Sequence, residues 1–208
     1  MKSKVFIVLF GLSFFALLGL NVFSSKDIIE IGSNAPGAGV KMRDVSGEMI
    51  SLQELNEENG LLVVFSCNTC PFVTAWEDRY TIIAQLCRKK NVGMAAINSN
   101  AARREGVDSM EEMKKHAKEK GYDFNYLLDE NANLARLFGA TKTPQIFLFN
   151  KDLELVYTGA IDDNLKNAEK VENHYLISAI NNLVGRKKIN PNTTEALGCS
   201  IKKVAAKK

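Results

Sequence analysis

The chain has 208 residues and carries 27 Lys and Arg against 24 Asp and Glu, a net charge of +3. With Lys2 and Lys4 set aside the balance is 25 against 24, which argues against a nucleic-acid surface and indicates no acidic substrate. Four cysteines are too few for a disulfide scaffold, and the chain is long enough to bury a core without such staples.

Lys2 and Lys4 precede an apolar run from Val5 to Phe23, closed by Ser24 and Ser25. A basic start, an apolar stretch and small residues at its end describe an export signal, with Val22 and Ser24 at the small positions of a cleavage site. Left uncleaved, the same run is long enough to cross a hydrocarbon core of about 30 Å. Residues 1–24 are therefore expected to be a signal peptide or an N-terminal anchor with its apolar part at residues 5–23. Either places the remainder outside the cytoplasm, in the periplasm or envelope, because Lys2 and Lys4 hold the N-terminus inside.

Residues 26–38 contain Gly32, Pro36 and Gly37 and read as an irregular lead-in. Val40–Arg43 and Glu48–Ile50 flank Ser46-Gly47, a hairpin signal. Leu61-Leu62-Val63-Val64-Phe65 is unbroken apolar sequence of strand length, which predicts a strand covered on both faces. A helix is expected from Pro71 to Lys89, then a buried strand over Val92–Ile97. Asp108 to Lys120 reads as a helix with Asp108 as N-cap, Glu111 at the capping-box place and Gly121 as C-cap. A short strand at Tyr126–Leu128 and a short helix at Asn131–Phe138 follow. Gln145–Phe149 and Leu153–Tyr157 predict a hairpin, and Leu165–Val184 a helix. The basic residues Lys202, Lys203, Lys207 and Lys208 read as a solvated, frayed end. Strands and helices alternate and end in a hairpin and helix, so the expected fold class is α/β, a mixed central sheet with helices on both faces and an N-terminal hairpin extension.

The chemistry is carried by Cys67-Asn-Thr-Cys70-Pro71, placed where a buried strand gives way to a helix. Disulfide exchange needs a thiolate, and an ordinary thiol ionises only near pH 8.5. Unpaired amides and the dipole at a helix N-terminus favour the anion there. On this reading Cys67 attacks and Cys70, one helical turn on, resolves the mixed disulfide. Structural zinc needs a second ligand pair, which His116, His174, Cys87 and Cys199 do not form locally, so no metal is expected; an inert structural bridge is the other alternative.

Thr143-Pro144 directly precedes the apolar strand Gln145–Phe149, and Tyr157-Thr-Gly159 follows. Strand, CxxC and helix, then Thr-Pro before an apolar strand, resemble the thioredoxin superfamily. The resemblance implies a thioredoxin-like domain over residues 26–186, a cis Pro144 packed against the cysteine pair, and a substrate-docking role for Thr143 and Pro144. Ile31-Gly-Ser-Asn-Ala-Pro36, the segment Phe65 to Pro71 and Leu197-Gly-Cys199-Ser-Ile201-Lys202 are similar to the exported redoxin branch related to alkyl hydroperoxide reductases. Departures are visible. Aligned on Cys67, the peroxiredoxin motif P-x-x-x-T-x-x-C finds Gly60 and Val64 at its Pro and Thr places, and Leu61 stands where thioredoxin has a buried acid. Lys142 stands where some relatives carry a Cys, as a cation near the thiolate or as a solvated side chain.

Of the rest, Cys87 reads as a buried, inert thiol. Cys199, in the tail at residues 187–208, is a third redox thiol or one end of a bridge to Cys87. His116 and His174 read as solvated, and Phe72 and Trp76 as core or active-site rim. Asp162-Asp163 reads as turn-forming acids, or as acids near the cysteine motif. The expected activity is thiol–disulfide exchange on protein thiols and disulfides, served by a separate electron donor or acceptor and by no dissociable cofactor. The alternatives are a redoxin-type thiol peroxidase and a non-catalytic binding module.

Overall fold

The computed structural model describes residues 27–204. The export segment expected at residues 1–24 lies outside the described residues, as do Lys207 and Lys208. Among the described residues no helix is long and apolar enough to cross a membrane.

Six consecutive buried residues need cover on both faces, and Leu61–Ser66 (β3) finds it inside a seven-stranded sheet, between two other strands. Preceding it are the hairpin strands Met42–Asp44 (β1) and Met49–Ile50 (β2) and the short helix Leu52–Leu55 (α1). Following it are Pro71–Lys89 (α2), Gly93–Asn98 (β4), Met110–Glu119 (α3), Asn125–Leu128 (β5) and Asn133–Leu137 (α4). Lys142–Thr143 (β6), Gln145–Phe149 (β7), Leu155–Gly159 (β8), Tyr175–Val184 (α5) and Cys199–Ser200 (β9) complete the chain. The main sheet runs β2-β1-β5-β4-β3-β7-β8, with β3, β4 and β5 parallel and the remaining pairs antiparallel. It is the mixed sheet, with its leading hairpin, that the order of elements predicts.

The side chains of β3 alternate between two cores. Leu61, Val63 and Phe65 meet Phe138, Phe147 and Phe149 beneath α1 and α4, with Phe65, Phe138 and Phe147 packed edge to face at 5.2–5.6 Å. Leu62 and Val64 meet Val73, Trp76, Tyr80, Ile83 and Cys87, one apolar stripe along α2, together with Leu176 and Ile180 of α5. Pairing of β3 with β4 and β7 sets the register, and the residues just past the C-terminal end of β3 stand at the sheet's upper edge.

Three parts differ from the sequence reading. Asp108 is not the cap of α3: Ser109 takes that place and accepts from the Glu112 amide at 3.2 Å. Asp108 turns inward instead, where three donors await it. Residues 165–174 are not helical apart from one 3₁₀ turn at Ala168–Lys170. Side chains there satisfy the amides that a helix would use. Asn164 Oδ1 accepts from Lys166 and Asn167, Asn167 Oδ1 from Glu169, and Asp163 from Glu172 and Asn173. The tail, as far as residue 204, is not frayed. Thr193 and Thr194 run alongside β8, Ile201 is buried, and β9 pairs antiparallel with β6. Gly159 makes that return feasible, because it holds φ +141° and a Cβ there would lie 2.1 Å from Thr194 Oγ1.

Candidate active site

The chain leaves β3 at Ser66, bends through Cys67, Asn68 and Thr69, and enters α2 at Pro71 with Cys70 as N-cap. Pro is well suited to this first helical position, where an N–H is not needed. The helix begins at Pro71, as the sequence suggests, and the residue at its positive end is Cys70 rather than Cys67.

Both sulfurs are buried and both face the loop before β7. Cys67 Sγ is 3.4 Å from Thr143 Oγ1, and the neutral Cys70 thiol donates to the Thr143 carbonyl at 3.1 Å. The Thr143–Pro144 peptide is cis. The Cys67 thiol lowers the Cys70 pKa to about 4 by donating to its thiolate; burial opposes this, while the Cys199 thiol, the Val73 amide and Thr143 add to it. Cys67 moves upward by the same sulfur–sulfur contact and by burial, with the Asp108 carboxylate as a further cause. The two sulfurs therefore ionise as one coupled pair, in which a single proton between them and the start of α2 favour one thiolate. Lys142 is not among the groups that perturb either sulfur.

The Cys67–Cys70 bend is pinned from beneath. Asn68 N–H donates to Asp108 Oδ1 at 3.0 Å, Asn68 Nδ2 to the Val107 carbonyl at 2.7 Å, and Tyr126 O–H to Asn68 Oδ1 at 2.8 Å. Asp108, wholly buried, also accepts from Asn98 Nδ2 at 2.8 Å and Asn100 Nδ2 at 3.0 Å. Asn100 in turn accepts the Lys202 amide at 2.8 Å, so one network holds both the cysteine bend and the end of the tail. Sequence reading missed this centre because a capping acid and a buried acid look alike locally. The run Asn98-Ser-Asn100, polar directly after a buried strand, is the signal that could have found it.

Trp76 is core, as one of its two readings has it, and its Nε1 donates to Asp162 Oδ1 at 2.9 Å. Arg79 Nε pairs with Asp162 Oδ2 at 2.9 Å, which ties the loop after β8 to α2. His116 is not simply solvated: it bonds buried Glu77, beside Tyr122 O–H at 2.5 Å and Lys120 Nζ at 2.9 Å. Burial would raise the Glu77 pKa, but these three partners hold it below the usual carboxylate value. Cys87 is buried in the α2 stripe and pushed up to about 12 by desolvation, so it is inert.

Cys199 stands with the pair rather than with Cys87. Register places it opposite Thr143, whose carbonyl accepts from Cys70, and it packs against the cluster that holds both sulfurs. Gly198 lies flat on the Thr143 main chain, where a Cβ would fall 2.4 Å from the carbonyl oxygen. The edge of Thr143 expected to dock an extended substrate is therefore occupied by the chain's own β9. Gly198→Ala is expected to loosen β9 by about 1–3 kcal/mol. At 1.4 kcal/mol per tenfold, alkylation of reduced Cys70 should then rise on the order of tenfold; an unchanged rate would mean that β9 does not cover the sulfur. Among the described residues no group of three or more His, Cys, Asp or Glu side chains is placed to hold a metal ion.

The mixed sheet, its flanking helices and the cysteine bend facing a cis-Pro loop define a thioredoxin-like protein of the oxidoreductase or peroxidase class. The AhpC/TSA family model matches residues 31–158, and the chain belongs to that family. An uncharacterized conserved protein from Geobacillus kaustophilus is similar at 32% identity and TM-score 0.81, covering 87% of this chain and 96% of its own. A hypothetical protein from Sinorhizobium meliloti gives 30% and 0.79, covering 86% and 98%. A peroxidoxin from Mycobacterium tuberculosis, at 15% and 0.57 over 76% of this chain and 97% of its own, shows the fold alone. Among curated proteins none matches the chain.

Proposed function

We propose that the chain is a thiol–disulfide oxidoreductase whose Cys67–Cys70 pair alternates between dithiol and disulfide. The observation that carries this reading is Cys70 at the N-cap of α2, with Cys67 and Cys70 both set against Thr143 of the cis-Pro loop. The Cys70 thiolate attacks one sulfur of a substrate disulfide, and the other leaves as a thiolate. Cys67 then attacks Cys70 Sγ, the substrate's first sulfur departs, and the Cys67 proton goes to it. Two electrons pass to the substrate and the pair is left as a disulfide for an external donor to reduce. No dissociable cofactor enters. The export segment at residues 1–24 would place this exchange where disulfides persist.

The test is reduction of a protein disulfide coupled to dithiothreitol. Turnover that depends on Cys70 supports the reading, and turnover surviving Cys70→Ser sinks it. A peroxidase reading is favoured by the same thiolate at a helix start. Aligned on Cys70, however, the peroxiredoxin motif finds Val63 and Cys67 at its Pro and Thr places. Hydroperoxide consumption without disulfide reduction in this assay would select that alternative.

The thiolate also predicts a pH profile. The folded pKa of Cys70 is depressed to about 4, so the stability it confers on the reduced protein grows above pH 4 and is complete only above the unfolded value near 8.5. Cys67, raised, contributes in full below about 8.5 and its contribution is lost above it. The reduced form should accordingly be most stable relative to the disulfide form near pH 8, and lose that advantage toward pH 4. Thiolate absorbance at 240 nm should show one group titrating near pH 4; an onset only above pH 8 would contradict this.

A further inference from the structure

Of the three clustered sulfurs, Cys67 is 2% and Cys70 4% exposed, while Cys199 is only partly buried. Exchange with an outside thiol requires a sulfur that can be reached along the line of the bond being broken. In the folded state the buried pair meets that requirement poorly, because β9 lies across the Thr143 edge. The strand that closes the site brings a thiol of its own. Antiparallel pairing sets Cys199 opposite Thr143, Lys142 opposite Ser200, and the Ile201 amide on the Thr141 carbonyl at 2.9 Å. A docked chain pairing at this edge would offer its residues in the same way. Gly198 allows the close approach, and the Lys202 amide, held by Asn100 Oδ1, fixes the strand end to the network under Cys67. All three sulfurs thus gather around Thr143, with Cys67 Sγ 3.4 Å from its Oγ1, the Cys70 thiol on its carbonyl at 3.1 Å and Cys199 opposite it across the strand pair.

We propose that Cys199 is a relay thiol that takes the disulfide from the buried pair and presents it to an external dithiol, an inference that rests on the redox reading of Cys67 and Cys70. In the oxidised protein the Cys199 thiolate attacks Cys70 Sγ. The Cys67–Cys70 bond breaks, a Cys70–Cys199 bond forms, and Cys67 leaves as a thiolate that takes up the proton Cys199 released. One S–S bond replaces another and no electrons are gained or lost. The external dithiol then attacks the Cys199 sulfur, the more accessible of the two, with Cys70 as leaving group. Its second thiol closes the donor's own disulfide, and its two electrons leave the protein with three free thiols in the cluster. The low pKa of Cys70 makes it a good leaving group in that step.

The experiment is disulfide mapping of the full chain after oxidation with glutathione disulfide, acid quench and non-reducing digestion. In Cys67→Ser the three remaining thiols should fall to one, Cys87, with the Cys70 and Cys199 peptides linked. In the unsubstituted chain a fraction of Cys70–Cys199 should accompany Cys67–Cys70, which keeps the test decisive if Cys67→Ser does not fold. Cys87→Ser should leave the map unchanged. A Cys70–Cys199 link in either protein supports the relay. If Cys67–Cys70 forms but Cys70–Cys199 appears in neither protein, with Cys67→Ser stopping at a glutathione adduct, the relay is overturned and the pair is not. If no intramolecular disulfide forms in any of them, the redox reading itself is overturned.

Discussion

Cys70→Ser is expected to reduce disulfide-exchange turnover to background, a loss on the order of a thousandfold or more, since no other low-pKa thiolate stands at the start of α2. Cys67→Ser should behave differently. Its Cys70 still attacks, but the mixed disulfide persists because the intramolecular resolving sulfur is gone, and such positioned groups carry effective molarities of about 10⁵ M or more. In the proposed mechanism the two roles follow from the charge distribution. While Cys70 is anionic, the sulfur–sulfur contact keeps the proton on Cys67. Once Cys70 is bonded to substrate its charge is gone, the main cause raising Cys67 is removed, and Cys67 ionises to attack. Mass spectrometry of the two variants after one turnover checks the order. An adduct that accumulates on Cys67 in Cys70→Ser, with none on Cys70 in Cys67→Ser, would reverse the assignment.

Asp108→Ala is expected to lower the stability of the fold by about 3–5 kcal/mol, the cost of removing one member of a buried charged hydrogen-bond network. Three donors lose their acceptor together: the Asn68 amide, Asn98 Nδ2 and Asn100 Nδ2. Arg104, which lies against the Asp108 and Asn98 carbonyls at 2.7 and 3.0 Å, loses the carboxylate among its compensating charges. Asp108→Asn should cost less, because it keeps one acceptor oxygen. Since Asp108 helps hold Cys67 upward, it should also ease ionisation of Cys67. Urea melts of the two variants separate the effects. Equal stability of Asp108→Ala and the unsubstituted chain would show that the cysteine bend does not depend on this network.

What could be read from the sequence was set by local pattern. The run Leu61–Phe65 is apolar at every position, so strand, burial and central place are evident together. The stripe of α2 and the Asn150–Leu153 turn before β8 are similarly local. The cysteine motif and the helix start at Pro71 are both legible locally. Which of the two sulfurs carries the charge is not legible there, because it depends on the contact between them. Asp108 was hidden by ambiguity, since an acid before an amphipathic run satisfies the capping pattern whether it faces out or in. The β6–β9 pair was out of reach for another reason: its partners are 56 residues apart at Thr143 and Cys199, and two-residue strands carry no periodicity. Residues 165–174 carry enough apolar and helix-tolerant residues to read as helix. Their Asn and Asp side chains decide otherwise by capturing nearby amides.

The most direct measurement is the thiol state of Cys67 and Cys70 after equilibration in glutathione buffers of graded composition, counted by alkylation and located by peptide mapping. The expected result is a reversible two-electron transition that links the two residues, with a midpoint between about −120 and −270 mV, the span of known exchange dithiols. Cys67 and Cys70 that remain free thiols across the whole range, or a bond between them that glutathione never opens, would contradict a redox-active pair.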